Sequence, residues 1–150
     1  PALIPSLVSM LAFGNYDCAI ASRFLVGNAK HSKMPKYKYF ANRFLTSFQN
    51  FFLGKDLSEY HTGYRAFTRE ILSKIDVDKL DNDFIFDNQM LALVLYKGFS
   101  VGEISCPTKY FDEASSINFI RSVKYGLGVL LVSIQYFLAK SKIYKASIFK

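Results

Sequence analysis

A chain of 150 residues, 51% hydrophobic and 17% aromatic, is rich enough in apolar side chains to bury a core, which excludes a disordered segment. The aromatics are 15 Phe and 10 Tyr with no Trp, so the chain packs rings inside, lays them against lipid, or does both. The net charge of +7 falls in two zones. No acidic residue lies between Asp17 and Asp56, where Arg23, Lys30, Lys33, Lys36, Lys38, Arg43 and Lys55 occur, and none lies after Glu113, where Arg121, Lys124, Lys140, Lys142, Lys145 and Lys150 occur. Such zones in a nearly balanced background point to phosphate partners, on lipids, nucleotides or nucleic acid. The two cysteines are too few for a disulfide framework. Cys18 and Cys106 each sit in an apolar, strand-like run and are expected as buried free thiols, which suits a reducing compartment.

Residues 2–13 (ALIPSLVSMLAF) read as a helix stopped by Gly14-Asn15. Residues 17–22 (DCAIAS) read as a short buried strand, with Arg23 at its C-terminal end, the edge where α/β sheets bind ligands. Residues 24–35 (FLVGNAKHSKMP) lack periodicity and read as a basic loop. Pro35 fits the first turn of a helix that runs to Leu53, with Tyr37, Phe40, Ala41, Phe44, Leu45, Phe48, Phe51 and Phe52 on one wide apolar stripe and Gly54 as its stop. Residues 57–68 are expected to be extended, with a glycine turn at Gly63. A short helix over 69–75, an acidic connector over 76–83, a helix over 87–97 closed by Gly98 and a strand over 99–107 follow. A polar turn at 112–116 leads into a long helix over about 117–139.

That last helix is mostly apolar from Tyr125 to Ala139, interrupted by Ser133 and Gln135, and this run falls short of the roughly 20 residues that cross a bilayer. Lys124, Lys140, Lys142, Tyr125, Tyr136 and Phe137 at its flanks fit a helix lying in the membrane interface; an ordinary packed terminal helix fits equally. No signal peptide is visible, and the chain opens at Pro1 on a helix rather than a strand, which is expected of a fragment whose N-terminal part is absent.

The arginines that stand at candidate ligand edges are Arg23, after a strand, Arg43, on the aromatic helix, and Arg65, after Gly63; a guanidinium fork suits paired phosphate oxygens. Ala21-Ser22-Arg23-Phe24 resembles the G-S-R-[YF] strand end of family-2 glycosyltransferases that make polyprenyl-phosphate sugars, the group of dolichyl-phosphate mannosyltransferase and its bacterial counterparts. Asn42-Arg43-Phe44 resembles their N-R-[FL] element, and Glu59–Phe67 (EYHTGYRAF) their D-x-x-[ST]-G-[FY]-R-x-[FY] signature. Residues 82–89 (NDFIFDNQ) and 113–119 (EASSINF) resemble later blocks, so the order holds from Pro1 to about Leu138. Ala21 replaces the family's Gly, and Glu59 its usual Asp.

The resemblance implies an α/β fold, the acceptor-side portion of a GT-A glycosyltransferase with an appended amphipathic interfacial helix. Residues 1–116 would be the C-terminal part of the catalytic domain, without its nucleotide-binding half, and residues 117–150 a basic juxtamembrane helix and tail. It implies inverting transfer of a sugar from a nucleotide-diphosphate sugar to a polyprenyl (dolichyl or undecaprenyl) phosphate. The place would be the cytoplasmic face of a membrane, with the chain peripheral or followed by transmembrane helices. A divalent metal (Mg or Mn) would be held by a D-x-D motif outside this chain, so no metal ligand is expected here, and the chain alone would be inactive. Arg23, Arg43 and Arg65 are the expected phosphate-holding set, and loop 24–35 would close over the acceptor.

Glu59 is the catalytic candidate, as a base or in orienting a sugar hydroxyl; the alternative is a hydrogen-bonding partner of Arg65 or His61. An acceptor phosphate is already anionic, so a strong base is not essential. Asn42, His61, Asp87 and Gln89 are further candidate substrate contacts, although Asp87 also suits a helix cap. Arg121 and Lys124 are expected to face the membrane. Ser115, Ser116 and Asn118 fit caps of the terminal helix or lipid contacts. His31 and His61 lack the Cys or carboxylate spacing of a metal site. Three other readings stay open: a family-2 transferase with a soluble or polysaccharide acceptor, a non-enzymatic membrane-surface module, and a nucleic-acid binder. The basic aromatic helix and acid-free tail favour lipid, and no nucleic-acid motif is present.

Overall fold

The computed structural model describes residues 2–25, 34–107 and 119–150. Most of the basic loop, with His31, the block 113–118, with Ser115, Ser116 and Asn118, and the boundary expected at 116/117 lie outside these residues. The described elements are α1 (Ile4–Ala12), β1 (Cys18–Ser22), α2 (Lys36–Leu53), β2 (Arg65–Phe67), α3 (Arg69–Lys74), α4 (Phe86–Tyr96), β3 (Val101–Ser105) and α5 (Phe119–Lys140), with short 3-10 turns at Val77–Lys79 and Ser147–Phe149. The fold is thus mixed helix and sheet, ending in a long apolar helix.

The three strands form one sheet in the order β2-β1-β3. β1 is antiparallel to β2 and parallel to β3, with Ser22 beside Ser105 at the shared C-terminal edge. β1 (CAIAS) is buried along its whole length, as a central strand covered on both faces requires. Its small side chains let neighbours approach closely. Gly102 on β3 serves the same end, because a Cβ there would stand 2.4 Å from Met10 Cε and 2.6 Å from the Tyr16 ring. α1 and the turn after it therefore lie directly on the backbone of β3.

The three helix stops read from glycine hold, beginning with Gly14 after α1 at φ 70. Gly54 closes α2 at φ 62 and Gly98 follows α4 at φ 86, left-handed values that L side chains rarely adopt. Gly63 differs: it is not among the positive-φ glycines, so the turn expected there needs no left-handed residue.

The core collects Ile20, Tyr60, Ile71, Leu91 and Val94 with Val132, Tyr136, Ala139 and Phe149 from the C-terminal region. The long helix is therefore part of the same core, since Val129, Val132, Ser133, Tyr136 and Ala139 form a buried stripe at helical spacing. Ser133, which looked like an interruption, is buried and donates to the Val129 carbonyl at 2.7 Å. The residues from Ile120 to Lys140 are long and apolar enough to cross a membrane by length and composition, which corrects the shorter apolar run counted from sequence. Their outer side exposes Leu127, Leu131 and Ile134.

The aromatic stripe of α2 also divides differently from expectation. Its core face carries Leu45, Thr46, Gln49 and Leu53, while Phe40, Phe44 and Phe51 are exposed. Of the two free thiols, Cys18 is buried and Cys106 is partly exposed, because it lies just past the end of β3.

Candidate functional site

The site lies at the C-terminal edge of the sheet, where β1 ends at Ser22 and the chain runs into Arg23. Opposite this edge passes segment 54–64, which has no helix or strand of its own. Side chains hold it in place. Asn50 on α2 donates to the Leu57 carbonyl at 2.9 Å, accepts the Leu57 N–H at 3.0 Å and accepts the Tyr60 hydroxyl at 2.7 Å. Glu103 on β3 accepts the Ser58 N–H and, at 2.7 Å, the Ser58 hydroxyl, which also lies 2.5 Å from the Ser22 hydroxyl.

Glu59 is fully buried and grips Arg23. It accepts the Arg23 backbone N–H and the Nε–H, each at 2.8 Å, and pairs with Nη2. Its partner is thus Arg23, not Arg65 or His61 as the sequence alternative held, because Glu59 faces the end of β1. Arg65 sits at the far end of the segment. Its Nε donates to the Thr62 carbonyl at 2.7 Å, Nη2 to the Tyr60 carbonyl at 2.8 Å and Nη1 to the Asp87 carbonyl. One guanidinium thereby satisfies three main-chain oxygens and joins the segment to the start of α4. Burial lowers its pKa.

Between α2, α5 and this segment opens a cavity of about 580 Å³. Arg23, Asn42, His61, Asp87 and Tyr125 line it together with Phe44, Leu45, Leu127 and Leu130. Polar groups converge among apolar helical walls, which is the usual build of a ligand site. His61 Nδ1 lies 3.0 Å from the Tyr125 hydroxyl, while the buried Nε2 has no hydrogen-bond partner among the described residues. Burial, with Arg23 and Arg65 nearby, brings the His61 pKa down to about 3, so the ring is neutral.

Of the residues predicted from sequence, Arg23, Asn42, His61 and Asp87 share this cavity. Arg43 stands beside it: its guanidinium lies 5.8 Å from the Phe24 ring centre and that of Arg23 5.9 Å, so one ring carries both cations. Arg43 also donates to the Ser58 carbonyl at 3.3 Å. Asp87 does not cap α4, whose N-cap is Ile85; it lies in the first turn, where its charge suits the helix dipole. Gln89 turns to the connector and accepts the Asp81 N–H at 2.8 Å. Lys124 pairs with Asp83 at 2.8 Å and Arg121 lies over the Phe84 ring, so both engage the acidic connector at the start of α5.

Sequence reasoning missed Glu103, Tyr125 as a cavity residue, and the buried amide pair of Gln49 and Asn88, which bond reciprocally at 3.2 and 3.0 Å. The available signals were a carboxylate inside the strand VGEIS and amides on otherwise apolar helix faces. Among the described residues, no group of three or more His, Cys, Asp or Glu side chains is placed to hold a metal ion.

Three named proteins are similar to this chain. Glycosyltransferase AglD of Haloferax volcanii is 29% identical over 100 residues, 67% of this chain and 16% of that protein. Low-salt glycan biosynthesis hexosyltransferase Agl6 of the same organism is 31% identical over 89 residues, 59% of this chain and 22% of that protein. Polyprenol monophosphomannose synthase of Mycolicibacterium smegmatis is 30% identical over 89 residues, 59% of this chain and 33% of that protein. The matches thus span a third or less of each relative's own length. No family model matches the chain, and no solved structure does. All three are named as enzymes of sugar transfer or sugar-lipid synthesis, and one as a polyprenol monophosphomannose synthase, which bears out the resemblance that the motifs carry.

Proposed function

We propose that this chain is the acceptor-side part of a GT-A glycosyltransferase that moves a sugar from a nucleotide-diphosphate sugar onto a polyprenyl phosphate at a membrane surface. The observation that carries the reading is the cavity: an arginine, an asparagine and a neutral histidine meet at a place walled by apolar helices. An amphipathic ligand with a phosphate head and an isoprenoid tail has that distribution of chemistry. The exposed Phe40, Phe44 and Phe51 of α2 and Leu127, Leu131 and Ile134 of α5 support contact with a lipid interface, reached from the cytoplasmic face.

In the reaction, an oxygen of the acceptor phosphate attacks the anomeric carbon. The bond from that carbon to the departing nucleoside diphosphate breaks, and the configuration inverts. The attacking oxygen is already ionised, so no proton has to be removed. The reading therefore casts Glu59 less as a base than as the positioning residue that fixes Arg23, since its carboxylate is occupied by that arginine. Arg23 and Arg43 hold the acceptor phosphate, and Arg65 keeps segment 57–65 in shape. The divalent metal implied by the family belongs to residues outside these 150, and no step here runs through it. Residues 1–116 and 117–150 then form one acceptor site, because α5 supplies a wall of the cavity.

The test is sugar transfer by the complete gene product from a panel of nucleotide sugars to undecaprenyl phosphate and to soluble sugars. Lipid-linked product, lost in Arg43→Ala, is the expected result. Transfer to soluble sugars alone, or an Arg43→Ala enzyme with unchanged lipid turnover, refutes the proposal.

A further inference from the structure

Two guanidinium groups share one aromatic ring. That of Arg23 lies 5.9 Å and that of Arg43 5.8 Å from the Phe24 ring centre. Arg23 follows β1 and Arg43 belongs to α2, so the ring ties the sheet edge to the helix. Two cations gathered in this way repel each other, and the negative face of a ring offsets part of that cost.

The ring is itself held from two sides. Tyr39 on α2 packs against it, with ring centres 5.6 Å apart. At the backbone, the Phe24 N–H donates to the Ser22 hydroxyl at 3.1 Å. The Ser22 and Ser58 hydroxyls lie 2.5 Å apart, and Ser58 Oγ donates to Glu103 at 2.7 Å. The order of donors follows. A carboxylate only accepts, and Glu103 takes the Ser58 N–H as well. The one hydroxyl proton of Ser58 therefore goes to Glu103, the Ser22 O–H donates to Ser58, and Ser22 Oγ accepts from Phe24. Ser22 is fully buried, so a broken link there leaves a polar group unmet. The Ser58 carbonyl meanwhile accepts from Arg43. One relay thus runs from β3 through Ser58 to the end of β1, and it stops at the residue whose ring carries both arginines.

We propose that Phe24, seated by the Glu103–Ser58–Ser22 relay, is a positioning residue that sets Arg23 and Arg43 as a pair for the phosphate group of the lipid acceptor. This rests on the acceptor reading above and adds to it the residues that make the pair. A ring that attracts both cations keeps them together before the phosphate arrives, so binding has less order to impose.

The test uses the complete gene product, with undecaprenyl phosphate as acceptor and the nucleotide sugar that it accepts. Phe24→Leu keeps an apolar side chain and removes the ring. The acceptor KM should rise about tenfold, about threefold for each cation that loses the ring, while the nucleotide-sugar KM holds. Phe24→Tyr should stay near the parent. Successively fluorinated phenylalanines at position 24 keep the ring's shape and weaken its negative face, so the acceptor KM should climb with each fluorine. Ser58→Ala should raise it in the parent but no further in Phe24→Leu, because both changes act on the same ring. An acceptor KM unmoved by Phe24→Leu or by fluorination overturns the inference, and additive effects of Ser58→Ala and Phe24→Leu overturn the relay. Either outcome leaves the acceptor reading standing so long as Arg43→Ala loses lipid turnover. An enzyme that transfers only to soluble sugars defeats that reading and this inference together. The fluorinated rings preserve packing, so a Phe24→Leu enzyme that does not fold leaves the test decisive.

Discussion

Replacing Glu59 by Gln removes one charge and almost no volume, so the loss it causes reads the Arg23 contact directly. Glu59 is fully buried, and the Arg23 side chain is 21% exposed. Three donors converge on the carboxylate: the Arg23 N–H and Nε–H at 2.8 Å each, and Nη2. A glutamine can present only one oxygen. If that oxygen faces the guanidinium, its NH₂ opposes the backbone N–H, donor against donor. Breaking a buried ion pair on one side costs about 3–5 kcal/mol. Because Arg23 retains some water, the lower end applies, about 3 kcal/mol. Urea unfolding followed by far-UV circular dichroism measures this as a shift of midpoint at unchanged slope. Glu59→Asp keeps the charge at shorter reach and should lose less. If both carboxylate and amide variants unfold within about 1 kcal/mol of the parent, Glu59 does not anchor Arg23 and the positioning argument fails.

Three further outcomes follow from the same geometry. Arg65→Lys leaves at least one of the Tyr60, Thr62 and Asp87 carbonyls without its donor, so stability should drop by about 1–3 kcal/mol and hydrogen exchange of segment 57–64 should speed up. Gly102→Ala drives a Cβ against Met10 and Tyr16; a cost of about 1–3 kcal/mol and a changed near-UV signal are expected, and native-like values would mean that α1 does not lie on β3. His61 is neutral in the folded chain down to about pH 3 but gains a proton near pH 6.5 when unfolded. Stability present above pH 6.5 is therefore lost as pH falls toward 3, by up to about 1.4 kcal/mol per unit. Unfolding measured at pH 7, 6, 5 and 4 should show a flatter profile for His61→Gln. The Asp17 carboxyl, held below its usual range by the Ser100 hydroxyl, adds a loss of the same sign only below about pH 4.

Much of the fold was legible because it rests on local signals. Gly54 and Gly98 end helices through their own backbone, and the run CAIAS is short and apolar whatever surrounds it. The cavity was half legible. Arg23, Asn42 and His61 belong to recognisable motifs, but Tyr125 joins them only because α5 folds back onto α2, a contact of distant segments that periodicity does not encode. The aromatic stripe of α2 misled for a related reason: a hydrophobic pattern reports which residues avoid water, not whether protein covers them. Gln49 lies on the core face despite its polarity, because Asn88 answers both of its amide groups. Glu59 was assigned the wrong partners because His61 and Arg65 are its neighbours in sequence; the true contact is with Arg23, which lies 36 residues earlier and meets it across the sheet edge.

The arrangement of the three arginines gives the proposed site its electrostatic logic. A bare guanidinium under apolar walls carries a large desolvation cost, which the chain avoids by different means at each position. Arg65 gives its donors to carbonyls and becomes part of the scaffold. Arg23 is matched by a buried carboxylate that stays behind it when the cavity fills. Arg43 is exposed, and its single described hydrogen bond, 3.3 Å to the Ser58 carbonyl, leaves most of its five donors uncommitted among the described residues. On the proposed reading, an arriving phosphate therefore meets a nearly neutral floor at Arg23 and His61 and a free cation at the rim. Direction comes from the floor and attraction from the rim, so a head group can be drawn in, aligned and released after it has taken on a sugar.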